Sequence, residues 1–200
     1  MFIVAWCDSI NSSIFIPILP NKAYSDFMKK TAILTLALLG LSFSTAQAAE
    51  LKVGDSAPLF TAQTQEGKTF DLKSRKGHWT VLYFYPKADT PGCTKQACSF
   101  RDDIQKIRNE GAEVYGISAD AVKDQKAFHT KYKLNFTLIA DPKDAVVNLY
   151  GTKMPIVKMS KRWTFIVGPD LTIRDIEKDV DPVLDAKRVA KEIAELKKSG

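Results

Sequence analysis

Thr80-Val-Leu-Tyr-Phe-Tyr85, followed at once by Pro86-Lys-Ala-Asp-Thr-Pro-Gly-Cys93-Thr-Lys-Gln-Ala-Cys98, is the stretch on which the reading of this chain turns. Its first six residues are a continuous β-branched and aromatic run, fit for the centre of a sheet covered on both faces. Beyond it Cys93, Ala97, Phe100, Ile104 and Ile107 recur at spacings of four and three, the period of a helix with one apolar face. Thr90 stands where a hydroxyl caps a helix, and Pro91 takes the first helical position, where no amide is required. Cys93 then falls in the first turn, where unpaired amides and the positive end of the helix dipole favour a thiolate. Thiolate is the form that nucleophilic sulfur chemistry uses. A small buried core cysteine is the bland alternative, but Thr-Pro-Gly-Cys is a helix start and not the middle of an apolar face. In an open α/β sheet, function also collects outside the carboxyl ends of the strands, where this segment lies.

Working outward, apolar runs of strand length alternate with helix-period segments, the pattern of a sheet with helices on its faces. Glu113–Ser118 reads as a second buried strand and Val122–Tyr132 as a helix, with a short helix over Lys143–Tyr150 before Gly151. Arg162–Val167 and Leu171–Ile176 read as a hairpin across Gly168-Pro169-Asp170. Asp181-Pro182 is expected to open a C-terminal helix, with Val189, Ile193 and Leu196 on one face. No repeat, low-complexity run or linker divides Ala49–Gly200, which is read as one α/β domain of ordinary size.

Ahead of it, Met28-Lys-Lys, an apolar stretch from Thr31 to about Phe43, and Ala46-x-Ala48 have the layout of a secretory signal peptide cleaved after Ala48. A membrane anchor is the alternative, but the run is short of the ~20 residues that span a bilayer. Residues 1–27 fit this layout badly and are expected to be a mis-called extension, with Met28 the true start; a longer, unusual signal or anchor is the alternative. The implied location is outside the cytoplasm, in a bacterial periplasm, with no stable membrane association.

Lys and Arg number 29 against 23 Asp and Glu, for a net charge of +6. The basic residues are interleaved with acids and not clustered with aromatics on one face, so no nucleic-acid footprint is read. Each of the two histidines, His78 and His129, stands alone among polar neighbours and reads as a surface residue. Asp89 and Asp141 read as turn residues, and Tyr83-Phe84-Tyr85 as core.

Of the three cysteines, Cys7 lies in the excluded extension, leaving Cys93 and Cys98. An even count in an exported protein ordinarily points to a structural disulfide. On one regular helix, however, five residues place the two Cα atoms roughly 8–9 Å apart, beyond the ~7 Å that a disulfide tolerates. Either the segment is not helical, or the bridge forms only when the first turn unwinds, as in a redox cycle through a sulfenic acid.

Pro86-x-x-x-Thr90-x-x-Cys93 resembles the active-site motif of the peroxiredoxins. The longer pattern Tyr85-Pro86-Lys-x-x-Thr-Pro-Gly-Cys-Thr-x-Gln-Ala-Cys98 is similar to their Q-type, bacterioferritin comigratory branch. The likeness begins at Leu51-Lys-Val-Gly-Asp-x-Ala-Pro58, passes through Gly116-Ile-Ser-Ala-Asp120 and reaches Arg162-Trp-Thr-Phe-Ile-Val167. It implies a thioredoxin-like fold, a mixed sheet flanked by helices. It further implies reduction of hydrogen peroxide and organic hydroperoxides with neither cofactor nor metal, and regeneration by thioredoxin. By the same resemblance Cys93 is the peroxidatic and Cys98 the resolving cysteine. Thr90 presents its hydroxyl to the peroxide, Pro86 shields the site from water, and Arg162 stabilises the thiolate and polarises the peroxide. A guanidinium fork suits that task, because negative charge spreads from sulfur over two oxygens in the transition state. A resolving cysteine within the chain leans towards a monomer. Export departs from the branch's usual cytosolic setting and points to a thioredoxin-like donor in place of cytosolic thioredoxin.

Two other readings of the cysteine pair stay open at this level. A thiol–disulfide carrier ordinarily uses Cys-x-x-Cys, whereas four residues intervene here. An exported copper carrier of thioredoxin-like fold would use soft thiolates for Cu(I), with His129 as the one downstream histidine.

Overall fold

The computed structural model describes residues 50–199, so the extension at 1–27, the signal segment at 28–48 and the cleavage point lie outside the described residues. A hairpin of β1 (Thr61–Thr64) and β2 (Thr69–Asp71) leads through a 3₁₀ turn at Leu72–Arg75 into β3 (Trp79–Phe84). Then come α1 (Pro91–Asn109), β4 (Ala112–Ser118), α2 (Val122–Lys131), β5 (Thr137–Ala140), α3 (Ala145–Leu149), β6 (Trp163–Val167), β7 (Ile173–Glu177) and α4 (Asp185–Ser199). The strands form one sheet in the order β2-β1-β5-β4-β3-β6-β7. β3, β4 and β5 are mutually parallel, while β1, β6 and β7 join antiparallel to their neighbours.

The alternation of side chains along a strand divides the β3 run between two cores. Val81, Tyr83 and Tyr85 pack with Cys93, Ala97, Phe100, Ile104 and Ile107 of α1, Phe128 of α2, and Ala186, Val189 and Ile193 of α4. Leu82 and Phe84 enter the opposite core with Ile117, Ile139, Phe165 and the α3 pair Val146 and Val147. β3 is thus covered on both faces, which is why its sequence is apolar from Val81 onward. Tyr83, Phe84 and Tyr85 are fully buried, as expected of core. Gly116 of β4 makes room for the Tyr83 ring, since a Cβ there would stand 2.6 Å from it.

Three strands have no counterpart in the sequence reading. β1 alternates exposed Thr61 and Gln63 with half-buried Ala62 and Thr64, β2 has three residues and β5 four, so none carries a periodic signal of useful length. The C-terminal helix also begins later than expected. Asp181 Oδ1 accepts from the Val183 and Leu184 amides at 2.7 and 3.2 Å, making a turn, and α4 starts only at Asp185. Among the described residues no helix is long and apolar enough to cross a membrane.

Candidate active site

The segment between β3 and α1 is held from both sides. Asp120, just past β4, accepts from the Ala88 amide at 2.8 Å and from the Ser118 hydroxyl at 2.7 Å. Asp89 adopts φ +59°, a left-handed conformation that aspartate tolerates. Its carboxylate meets Lys131 Nζ at 2.7 Å and the Tyr132 hydroxyl at 2.6 Å, which hold it below the usual carboxylate range. Asp141 serves the neighbouring turn, accepting from the amides of Ala145, Val146 and Val147 at the start of α3. Below the loop, the buried Tyr85 hydroxyl donates to Gln125, which in turn donates to Ser118 Oγ at 2.8 Å.

Thr90 and Pro91 take the N-cap and first helical positions, as the sequence indicates. The Thr90 carbonyl accepts from the Thr94 amide at 2.8 Å. The expected side-chain cap is absent, because the Thr90 hydroxyl donates instead to the Lys87 carbonyl at 3.0 Å. That bond satisfies an acceptor of the preceding loop and leaves the amides of the first turn uncapped by Thr90, around the position of Cys93.

Cys93 is 1% exposed. Arg162, at the entrance to β6, places Nη2 3.5 Å from Cys93 Sγ across a separation of 69 residues. Gly92 permits this approach, since a Cβ there would lie 3.2 Å from the same Nη2. The other arm of the guanidinium, Nη1, donates to Gln96 Oε1 at 2.6 Å. Gln96 is fully buried, and its Nε2 donates to Asp185 Oδ2 at 2.8 Å. The Thr164 hydroxyl donates to the same carboxylate oxygen at 2.8 Å, and Arg188 Nη2 stands 3.5 Å from Oδ1. Burial raises the Asp185 carboxyl above its usual range, against the opposing pull of Thr164, Gln96 and Arg188. The Tyr83 phenol beside this group is also raised by burial, and its oxygen has no hydrogen-bond partner among the described residues.

The fold therefore brings Arg162 to Cys93 and sets Thr90 at the helix entrance, with the half-buried Pro86 directly after β3. Cys98 sits farther along the same continuous helix, half-buried, and both cysteines are free thiols. It lines a shallow groove of about 500 Å³ with Lys95, Asp102, Lys106, Val183 and Lys187. Two residues of the cluster, Gln96 and Asp185, are given no role in the sequence reading, which names Gln96 only as a position of the longer pattern and Asp185 not at all. Both carry a legible signal: Gln96 is a polar residue beside the apolar stripe of α1, and Asp185 is an acid one turn ahead of Val189 and Ile193 on the buried face of α4.

The model of the AhpC/TSA family matches residues 53–176. Peroxiredoxin Q, chloroplastic, of Suaeda salsa is 35% identical over 186 residues, covering 87% of this chain and 87% of that protein. Putative peroxiredoxin bcp of Coxiella burnetii is 44% identical over 113 residues, covering 56% of this chain and 75% of that one. Among solved structures, peroxidoxin BcpB from Mycobacterium tuberculosis matches with a TM-score of 0.69 at 29% identity, covering 74% of this chain and 99% of that one. A Xanthomonas campestris bacterioferritin comigratory protein, whose description refers to alkyl peroxide reduction activity, matches at 25% identity with a TM-score of 0.67, covering 71% of this chain and 99% of that one. With the thioredoxin-like fold and a cysteine at the start of α1, these likenesses place the chain in the AhpC/TSA family, in its peroxiredoxin Q branch of thiol peroxidases.

Proposed function

We propose that this chain reduces hydrogen peroxide and alkyl hydroperoxides through Cys93, with Cys98 as its resolving partner. The observation that carries the reading is the 3.5 Å contact between Arg162 Nη2 and Cys93 Sγ at the first turn of α1. A thiolate there has a guanidinium on one side and the unpaired amides of a helix start on the other. The sulfur attacks the terminal peroxide oxygen, which stays with its proton on sulfur, and the O–O bond breaks. The leaving alkoxide or hydroxide takes from solvent the proton that the thiol gave up on ionising and departs as alcohol or water. Arg162 stabilises the charge spread over sulfur and both oxygens. Thr90 and Pro86 border the approach, the first offering a hydroxyl and the second excluding water.

The product is a sulfenic acid on Cys93. Attack by the Cys98 sulfur forms the disulfide and releases water, and the two electrons that reopen it come from a dithiol of the thioredoxin type. The alkyl peroxide activity named for the Xanthomonas campestris relative supports the substrate range. Because the resolving cysteine belongs to the same chain, one subunit completes the cycle, and the protein acts as a monomer. The segment at 28–48 directs export to the periplasm, where a thioredoxin-like donor serves. The carrier and copper readings of the cysteine pair are not favoured by membership of this family.

Stopped-flow tryptophan fluorescence of the reduced protein mixed with hydrogen peroxide tests the assignment. Fast oxidation should vanish in Cys93→Ser, while Cys98→Ser should oxidise once and stop at a sulfenic acid detectable by mass. A wild type no faster than free cysteine would overturn the reading.

A further inference from the structure

The guanidinium beside Cys93 does not stand alone. Gln96 faces Arg162 with its carbonyl oxygen and Asp185 with its amide nitrogen, at 2.6 and 2.8 Å. A glutamine can be turned either way about its last bond, because its two ends differ only in donor and acceptor character. If it were reversed, an NH₂ would face the guanidinium, donor against donor. What fixes its sense is the partner on the far side, an acceptor with no proton to offer. Asp185 is that acceptor, 2% exposed and drawn from a helix that otherwise presents Ala186, Val189 and Ile193 to the core.

We infer that Asp185 is a positioning residue, whose carboxylate sets the orientation of Gln96 and through it holds Arg162 against the reacting sulfur. The groups around it fit that task. From β6, the Thr164 hydroxyl donates to the same oxygen as Gln96, leaving Oδ1 for Arg188. Arg188 in turn is held by Asp175 Oδ2 at 2.7 Å, with Glu177 at 3.9 Å, both from β7. An acid suits position 185 because its second oxygen faces the Arg188 guanidinium at ion-pair distance, 3.5 Å, where an amide accepting from Gln96 and Thr164 would set an NH₂ against that cation. The chain of bonds Asp185–Gln96–Arg162–Cys93 thus ties α4, α1 and the start of β6 to one sulfur atom. The inference rests on Cys93 being the peroxide-reactive thiolate.

An exchange of polarity tests it. Asp185→Asn allows the reversed glutamine and is expected to slow peroxide oxidation of the reduced protein about tenfold, the scale of one charge-assisted hydrogen bond partly lost in the transition state. Adding Gln96→Glu to that variant restores a one-way chain. The carboxylate placed at position 96 then accepts from both Arg162 and the new amide at position 185. The rate should return to within about threefold of the wild type, a recovery on the scale of that same bond. A role in packing alone gives no such recovery. Stopped-flow oxidation rates, with far-ultraviolet circular dichroism as the check on folding, decide the matter. An Asp185→Asn protein as fast as the wild type, or a double variant slower than either single one, overturns the assignment. Should Asp185→Asn not fold alone, the double variant compared with Gln96→Glu decides: faster supports the relay, equal or slower refutes it. Failure of the peroxidase reading looks different, because the wild type itself would then be slow.

Discussion

Oxidation to a Cys93–Cys98 disulfide is expected to lower the thermal stability of this protein, the opposite of what a structural bridge does. In the reduced protein both cysteines belong to one continuous helix, Pro91–Asn109. Helical spacing holds their Cα atoms roughly 8–9 Å apart, so bonding requires the start of α1 to open. The amides from Thr94 to Cys98 then lose their helical acceptors, including the 2.8 Å bond from Thr94 to Thr90. At ~1 kcal/mol each, about five such bonds amount to ~5 kcal/mol. Cys93 and Ala97 leave a core in which they are 1% and 0% exposed, and Gln96 loses both of its partners. Against this the crosslink contributes only ~2 kcal/mol of loop-closure entropy, because the loop is so short. The net loss of ~3 kcal/mol or more corresponds to a Tm roughly 10 °C lower for a domain of this size. Melts of reduced and peroxide-oxidised protein measure it, with oxidised Cys98→Ser as the control that cannot close the bond. Amide hydrogen exchange over residues 91–98 locates the change. An oxidised Tm at or above the reduced one, with the amides of 94–98 still protected, would show that the bridge forms without opening the helix and that the geometric reasoning fails.

Other outcomes follow from the same contacts. Arg162→Met removes the donor facing the thiolate and is expected to slow oxidation by about 10²–10³. Arg162→Lys should recover only part, because one ammonium cannot meet Sγ and Gln96 together in the fork geometry. Gly116→Ala drives a Cβ to 2.6 Å from the Tyr83 ring, which is stacked against Tyr85 and Phe100 and cannot yield. A loss of about 1–3 kcal/mol in urea unfolding is expected, and no loss would mean that the ring shifts freely. Burial holds the phenols of Tyr83, Tyr85 and Tyr150 far above their usual value. In the unfolded chain they ionise near pH ~10, so above that pH the folded state binds more protons and stability falls as pH rises. Three such groups give about 2 kcal/mol per pH unit at pH ~10, or about 4 kcal/mol in all between about pH 9 and about pH 11, which denaturation midpoints would register.

The sequence is most legible where local chemistry and tertiary packing agree. The β3 run is apolar because both faces of it are covered, and the α1 stripe is periodic because only one face of that helix is. Cys93 is readable from Thr90, Pro91 and the helix that follows. Arg162 is not readable from its neighbours: its meaning lies 69 residues away, and only the family resemblance points to it. The short strands β1, β2 and β5 escape a sequence reading because they are held by neighbours in the sheet and not by any pattern of their own. The Thr90 hydroxyl departs from its expected cap because its rotor turns to donate to the Lys87 carbonyl, which takes its oxygen away from the first-turn amides that a cap would accept from. Gln96 and Asp185 show the opposite case, polar residues at positions where the helical pattern asks for apolar ones. Such a break marks a buried partner, although the partner itself is set by the packing of α4 on α1.

The arrangement also bears on how the two halves of the catalytic cycle are kept in order. On the proposed cycle, the Cys93 sulfur stays in the first turn of α1 until peroxide arrives and leaves it afterwards to reach Cys98. At 3.5 Å and an effective dielectric near 20, attraction between a thiolate and a guanidinium is on the order of 5 kcal/mol. That is similar to the ~5 kcal/mol of backbone bonding lost when the turn opens. Conversion to a neutral sulfenic acid removes the formal charge and most of this attraction. Arg162 then no longer opposes the unwinding, and Gln96, which shares its guanidinium with the sulfur, loses part of its hold on the same turn. On this proposal the Arg162–Cys93 contact both speeds the attack and keeps the helix closed before it, and the reaction itself removes it. Hydrogen exchange in Cys98→Ser separates this coupling from disulfide formation, since that variant stops at the sulfenic acid. Faster exchange of the 94–98 amides in the oxidised than in the reduced variant is the expected result, and equal exchange would mean that the helix opens without regard to the charge on sulfur.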